Sequence, residues 1–404
     1  MSKIKIGVIR EGKTPPDFRV PLPPQHCYDL LQQYSNTLSI AVQPSPSRCF
    51  KDREYADLGI VLQEDLSDCD ILLGVKEVPK NHLIPEKKYL FFSHTIKKQA
   101  YNRALLNSIL QKNIELIDYE TLRWENGKRI IGFGVYAGIV GAHNGLLVYG
   151  KRSGHFDLPE ACKTKDLATL QESYKKINLP PIKIVITGNG RVAQGSLETI
   201  RAMGIREVTK TSFLKETFAE AVFVYLKNDD LYRRKADGAY DKQEFYNTPQ
   251  KYESVFAPYT KVTDLLIHGI YWNPNAPQLF SKADMRLADF KIEAIADISC
   301  DIEGSIPATL KATKIGDMVM GYDPVNEKEM DPYQPTGVDI MSIDNLPNEL
   351  PRDASVGFGK MMQETIIPEL LKANSAIISG ARITKNGHLC KRYGYLQNYV
   401  DGKA

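Results

Sequence analysis

The stretch Asp70-Ile71-Leu72-Leu73-Gly74-Val75, running directly into Lys76-Glu77, reads as a short buried strand that carries an amine and a carboxylate at its end. Three other runs repeat the pattern. Ile4-Lys5-Ile6-Gly7-Val8-Ile9 ends on Arg10-Glu11, Tyr89-Leu90-Phe91-Phe92-Ser93 ends on His94, and Ile114-Glu115-Leu116-Ile117-Asp118 ends on Tyr119-Glu120. With helical stretches between them, such runs predict a parallel sheet of the α/β class. Ligands of open α/β sheets bind outside the carboxyl ends of the strands. One rim would then gather an amine, an imidazole and at least two carboxylates, a set suited to proton transfer.

Composition narrows the class. The 404 residues suffice for two or three domains, and 25% charged with 43% hydrophobic residues is ordinary for a globular chain. A net charge of +3, spread along the sequence, points to neither nucleic acid nor a membrane surface. The start Met1-Ser2-Lys3 leads into a strand rather than a signal peptide, and no apolar run is long enough to span a bilayer. Six widely spaced cysteines without Cys-x-x-Cys read as reduced thiols of a cytoplasmic protein. The seven histidines lack ligand spacing, so no metal is expected.

Farther along, Gly134 to Tyr149 reads as a buried helix rich in small residues, linking two lobes. After Pro180-Pro181 comes the strand Ile182-Lys183-Ile184-Val185-Ile186-Thr187, then Gly188-Asn189-Gly190-Arg191-Val192-Ala193 opening a helix that stops at Gly204. Strand, Gly-x-Gly-x-x-Ala and helix in this order form a dinucleotide fingerprint. Gly188 permits the turn, Gly190 lets pyrophosphate approach the backbone, and Ala193 lets the helix pack on the strand. The next strand is expected at Glu207-Val208-Thr209. No carboxylate follows it until Glu216, so Lys210 or Arg206 either faces the 2′-phosphate of NADP or stands as a solvated surface charge. Further strands are expected at 264–267, 294–298 and 338–343, then a long helix from Ala354 to Leu371.

Taken together, Lys76-Glu77, Ser93-His94-Thr95-Ile96-Lys97-Lys98-Gln99 and Ile117-Asp118-Tyr119-Glu120 resemble the alanine dehydrogenase/transhydrogenase superfamily. His268-Gly269-Ile270-Tyr271-Trp272, Asp297-Ile298-Ser299-Cys300-Asp301 and Ser342-Ile343-Asp344-Asn345-Leu346-Pro347 narrow the likeness to its saccharopine-forming branch. That branch holds the lysine-ketoglutarate reductases and the lysine-forming saccharopine dehydrogenases. The resemblance implies two Rossmann-like lobes with a cleft between them, the dinucleotide lobe inserted into the catalytic one. On that reading residues 1–135 and 341–404 are catalytic, and 136–340 bind NAD or NADP. It also implies the reaction, reversible formation of saccharopine from L-lysine and 2-oxoglutarate, with the reductase region present alone. Lys76 and His94 would be the acid–base pair, with Glu77 and Glu120 around Lys76. Arg19 would bind a substrate carboxylate, Arg129 and Phe133 would border the substrate pocket, and Asp344 would sit near the nicotinamide. The superfamily suggests a small homo-oligomer.

Chemistry supports these roles independently. Imine formation needs an amine deprotonated, a carbinolamine protonated and water expelled, which suits two groups titrating near neutrality. A lysine reaches that range only when desolvated or placed near positive charge, and Glu77 and Glu120 would push it the other way. Both glutamates could equally be ordinary salt-bridge partners, and Phe133 a core residue. Competing readings are reductive amination with ammonia, as in alanine dehydrogenase, and an opine-type enzyme using ornithine or another amine. A non-catalytic nucleotide-binding regulator is the reading from another class.

Overall fold

A computed structural model describes residues 3–403. The chain divides into two compact units, one formed by the residues up to Phe133 together with those from Pro351 onward, the other by Gly134–Leu350. The segment Ser342 to Pro347 thus falls in the second unit, beyond the boundary expected at residue 340.

In the first unit, β1 (Ile4–Val8), β2 (Leu38–Val42), β3 (Val61–Leu62), β4 (Ile71–Leu73), β5 (Lys88–Phe91) and β6 (Glu115–Asp118) form one sheet. Its order is β3-β2-β1-β4-β5-β6, and every pairing is parallel. Apolar residues alternate between its faces. Ile71 and Leu73 join one core with Ile6, Val8, Leu90 and Ile117, whereas Leu72 joins a second with Tyr89, Phe91 and Leu116. Cores on both faces explain why the strands read as continuous apolar runs. The chain reverses direction of winding between β1 and β4, so their carboxyl ends make the switch-point crevice of a doubly wound sheet.

The second unit carries an eight-stranded sheet. Its strands are β7 (Lys183–Thr187), β8 (Arg206–Glu207), β9 (Val222–Leu226), β12 (Leu265–His268), β13 (Ala294–Asp297), β14 (Val319–Asp323), β15 (Lys328–Met330) and β16 (Val338–Met341). A separate antiparallel ribbon joins β10 (Tyr232–Arg234) to β11 (Tyr252–Ser254). The sheet order is β15-β14-β16-β13-β12-β7-β9-β8, parallel from β8 to β16 and antiparallel at β14 and β15.

Here one expectation is corrected. The strand after the glycine helix is only Arg206–Glu207, exposed at the sheet edge, and β9 intervenes between it and β7. The reason is compositional. Val222-Phe223-Val224-Tyr225-Leu226 is apolar and β-branched, fit for a strand covered on both faces, whereas Arg206-Glu207 is not.

The helix Gly134–Ser153 is buried over most of its length, as its small residues imply. It crosses the helix Arg191–Ala202 at glycines on both sides. A Cβ at Gly138 would lie 1.9 Å from the Val192 carbonyl oxygen, and one at Gly195 would lie 1.9 Å from that of Val135. The C-terminal helical stretch starts at Pro351 and continues to Leu371 with a π turn at Met362–Ile366. No helix among the described residues is long and apolar enough to cross a membrane.

Candidate active site

The rim of the first sheet is assembled by backbone register. Leu73 pairs with Val8 and with Leu90, and Phe91 pairs with Asp118, so residues 11, 76, 94 and 118–120 follow from neighbouring strand ends. Glu11 fastens two of these ends. Its carboxyl accepts the Val75 N–H at 2.6 Å and the Lys76 N–H at 2.9 Å. Burial, helped by the charge of Asp17, pushes Glu11 up to about 8. Asp118, at the end of β6, fastens its neighbours in the same way, accepting the N–H groups of Ser93 at 3.0 Å and Glu120 at 2.7 Å. Burial raises its carboxyl as well.

Lys76 is half-buried just beyond β4. Burial is the main cause that draws its ammonium down to about 8, assisted by the positive charges of Arg19 and Lys13 and opposed by Asp17 and Glu77. Desolvation therefore outweighs the carboxylates expected to hold this lysine high.

His94 takes a left-handed backbone conformation (φ 52°, ψ 11°), which turns the chain sharply out of β5. Its Nδ1 lies 2.5 Å from Glu77 Oε1. Burial raises Glu77, but the bond and charge of His94 and the bond from Lys13 Nζ (2.8 Å to Oε2) overcome it and hold the carboxyl at about 2. An ionised carboxylate only accepts, so Nδ1 donates and Nε2 is the ring nitrogen left for proton exchange. Glu77 thus serves His94 and Lys13 first. Glu120 accepts from Arg129 at 3.2 Å and lies 3.6 Å from Lys97 Nζ, so its direct ion pairs are with these cations rather than with Lys76.

Arg19 is 2% exposed and gripped bidentately by Asp17, with Nε to Oδ1 at 2.9 Å and Nη2 to Oδ2 at 2.5 Å. Burial raises the Asp17 carboxyl, yet the Arg19 guanidinium more than offsets it, leaving Asp17 at about 2. The guanidinium carbon sits 4.2 Å over the Phe133 ring, which stacks in turn on Phe358 at 4.5 Å. Phe133 is therefore both a core residue and the floor beneath Arg19. Sequence reading alone marks Glu11 only as a strand end and assigns no role to Lys13 or Asp17. Asp17 stands two residues before Arg19, a short-range signal that a buried arginine needs a partner.

In the second unit, Gly188 adopts φ 113° and donates its N–H to the Leu226 carbonyl at 3.0 Å. A Cβ at Gly190 would meet no atom within 4 Å, so open space lies over the N-terminus of the helix Arg191–Ala202. Arg191 opens that helix, and buried Ala193 faces Gly188, where a Cβ would lie 3.5 Å away. Val192 packs against the backbone at Gly269. Lys210 is ion-paired with Asp230, Arg206 with Glu220 at 2.8 Å, and Asp344 is exposed beyond the end of β16.

Residues 7–140 match the family model "Alanine dehydrogenase/PNT, N-terminal domain". The mouse (Mus musculus) protein named alpha-aminoadipic semialdehyde synthase, mitochondrial, is 32% identical over 95% of this chain and 46% of its own length. The chain is thus homologous over nearly its whole length to alpha-aminoadipic semialdehyde synthases, and residues 7–140 are an alanine dehydrogenase/PNT N-terminal domain. A Yarrowia lipolytica protein named saccharopine dehydrogenase [NAD(+), L-lysine-forming] is 25% identical over 82% of this chain and 83% of its own. Among solved structures, an L-alanine dehydrogenase shares the fold with a TM-score of 0.67 at 16% identity, covering 99% of this chain and 100% of the other. The chain spans about half the length of the synthases it matches. The homologues bear the names of enzymes, and the alanine dehydrogenase shares the α/β fold with its parallel sheets.

Proposed function

We propose that this protein is a nicotinamide-dinucleotide-dependent oxidoreductase acting on CH–NH bonds, reversibly forming saccharopine from L-lysine and 2-oxoglutarate. The observation that carries the reading is the pairing, on one rim, of a lysine drawn down to about 8 with a histidine whose Nδ1 is committed to Glu77. The lowered Lys76 amine can take up and release a proton, and His94 Nε2, left open by the Nδ1 bond, offers a second position for proton transfer, as amine condensation requires. Lys76 takes the proton from the attacking substrate amine, and His94 Nε2 protonates the carbinolamine oxygen that leaves as water. Arg19, fixed by Asp17 and backed by Phe133, holds a carboxylate of the dicarboxylic co-substrate, and Arg129 holds another. Planar, bidentate cations suit that recognition better than lysine.

The glycine loop fits a dinucleotide. Open space over Gly190 and the N-terminus of a 12-residue helix are what a pyrophosphate needs, and Arg191, Val192 and Ala193 form its first turn. When bound, the dinucleotide supplies the hydride donor or acceptor. The test is oxidation of NADH and of NADPH, followed by absorbance, with 2-oxoglutarate and either lysine, ornithine or ammonium. Turnover that requires lysine supports the proposal. Turnover with ornithine or ammonium alone moves the substrate, and no turnover with any donor refutes the reaction.

A further inference from the structure

Ser93 and Thr95 flank His94, and both are fully buried, as is Asp118 at the end of β6. Asp118 pairs in register with Phe91, so its carboxyl reaches forward to the place where the ladder of β5 stops. The Phe92 N–H still bonds to the Val75 carbonyl at 3.0 Å, whereas the Ser93 N–H turns to Asp118 Oδ2 at 3.0 Å. Asp118 Oδ1 accepts the Glu120 N–H at 2.7 Å, so both carboxyl oxygens serve as acceptors. The Ser93 hydroxyl, also bonded to Oδ2, therefore spends its one proton there. Thr95 must then donate to Ser93 Oγ, its hydroxyl from 2.8 Å and its N–H from 3.3 Å.

This directed chain of bonds, Thr95 to Ser93 to Asp118, spans the left-handed residue between its first two members. A side chain with a β-carbon is crowded in that conformation and keeps it only where its neighbours over-determine it. The turn that follows, Thr95–Lys97, is closed by the Lys97 N–H on the His94 carbonyl at 3.1 Å. Where the backbone at 94 sets the ring decides whether Nδ1 meets Glu77. The same carboxyl anchors Glu120 N–H, so one buried group indexes two of the loops that build the rim. Burial raises Asp118 most, the Ser93 bond opposes it, and the nearby charge of His94 lowers it further, so the carboxyl also feels the ring.

We propose that Asp118 is a positioning residue for His94. Acting through Ser93 and Thr95, it holds the left-handed turn that aims Nδ1 at Glu77 and keeps Nε2 free for proton exchange. The inference rests on the acid–base role given to His94 above, so its test reads the ring as well as the reaction. Isotope labelling of the histidine nitrogens of the full chain, with His94→Gln to assign the signal, reports by NMR which ring nitrogen carries the proton once the ring is neutral. Turnover with 2-oxoglutarate, lysine and reduced dinucleotide gives kcat and KM. The native chain and Thr95→Ser, which keeps the hydroxyl, should both show the proton on Nδ1 and the same kcat. Thr95→Val has the same shape without the donor, and the amide of Asp118→Asn turns a donor toward one of the two N–H groups. Both should lose the Nδ1–H signal and lower kcat by about tenfold or more, with the KM for 2-oxoglutarate kept within about twofold. In a His94→Gln background the same substitutions should cost no further turnover, because the group they act through is gone. An Nδ1–H signal and a kcat unmoved in well-folded Thr95→Val would overturn the proposal, even where Asp118→Asn fails to fold. So would a loss of turnover equally large in both backgrounds, the mark of a merely structural role. A native chain without turnover would remove the reaction, and the ring signal alone would then decide for or against the positioning role.

Discussion

Replacing Lys76 with methionine should make the protein more stable and nearly inactive, and the stability change should depend on pH in a defined window. The substitution keeps an unbranched chain of similar length beyond the end of β4 and removes the ammonium. That ammonium falls from its ordinary value of 10.5 to about 8, chiefly because burial strips its water. At about 1.36 kcal/mol per pH unit, the depression amounts to about 3 kcal/mol held against the folded state, and partial exposure of the side chain reduces this to about 1–3 kcal/mol. The sign follows from proton counts. Below about pH 8 both folded and unfolded lysines are protonated, and the folded state bears the full cost. Between about 8 and 10.5 the unfolded chain holds the extra proton, so native stability rises with pH until the cost is gone. Denaturant unfolding of both proteins at intervals from pH 7 to 11 isolates the effect as a difference. The Lys76→Met variant should lead by about 1–3 kcal/mol at pH 7, and the lead should vanish by about pH 10.5. Turnover should fall by about 100- to 10,000-fold at every pH. A lead that stays flat across this range, or a variant less stable than the native chain at pH 7, would refute the account of Lys76 as a desolvated amine.

Substituting Gln for His94 should lower turnover by about 100- to 10,000-fold while circular dichroism and the melting temperature stay near native, because the ring is only partly buried and its amide replacement can still donate to Glu77. Gly190→Ala should leave the melting temperature unchanged, since a Cβ there meets nothing, yet weaken dinucleotide binding by about tenfold or more in calorimetry. Gly138→Ala should behave oppositely. With the Val192 carbonyl 1.9 Å from the new carbon the two helices must separate, and unfolding in denaturant should show a loss of about 1–3 kcal/mol or more. Equal melting temperatures for Gly138→Ala and the native chain would contradict the close helix crossing.

Much of the site was legible because its residues sit where apolar runs stop. Lys76, Glu77, His94 and Glu120 are read off strand ends, and parallel register brings those ends to one rim. Less accessible was which charges meet. Glu77 turns to His94 and Lys13, and Glu120 to Arg129 and Lys97, because side-chain direction at a rim depends on turns such as the left-handed one at His94. β2 lacks the same signature, because Leu38–Val42 ends on Gln43-Pro44, with no ionisable residue to mark it. The place of β9 was likewise hidden. Periodicity shows that a segment is a strand, whereas its neighbour in a sheet is decided by which runs can be covered on both faces, and that is a property of the folded unit. Arg206-Glu207 follows the glycine helix in sequence and yields the inner position to an apolar segment that comes later.

The clasp made by Glu11 has a consequence for how such a rim can change. Its carboxyl grips the amide N–H groups of residues 75 and 76, which every amino acid except proline possesses, and takes no hold on the side chain at 76. The scaffold and the reactive group are thereby separately editable. Position 76 can exchange one functional group for another without loosening the seam between β1 and β4, whereas exchange of Glu11 would loosen the seam under any functional group. New chemistry on this rim is open to single substitutions at 76, 77 or 94, and its geometry is guarded by a residue that need never touch a substrate.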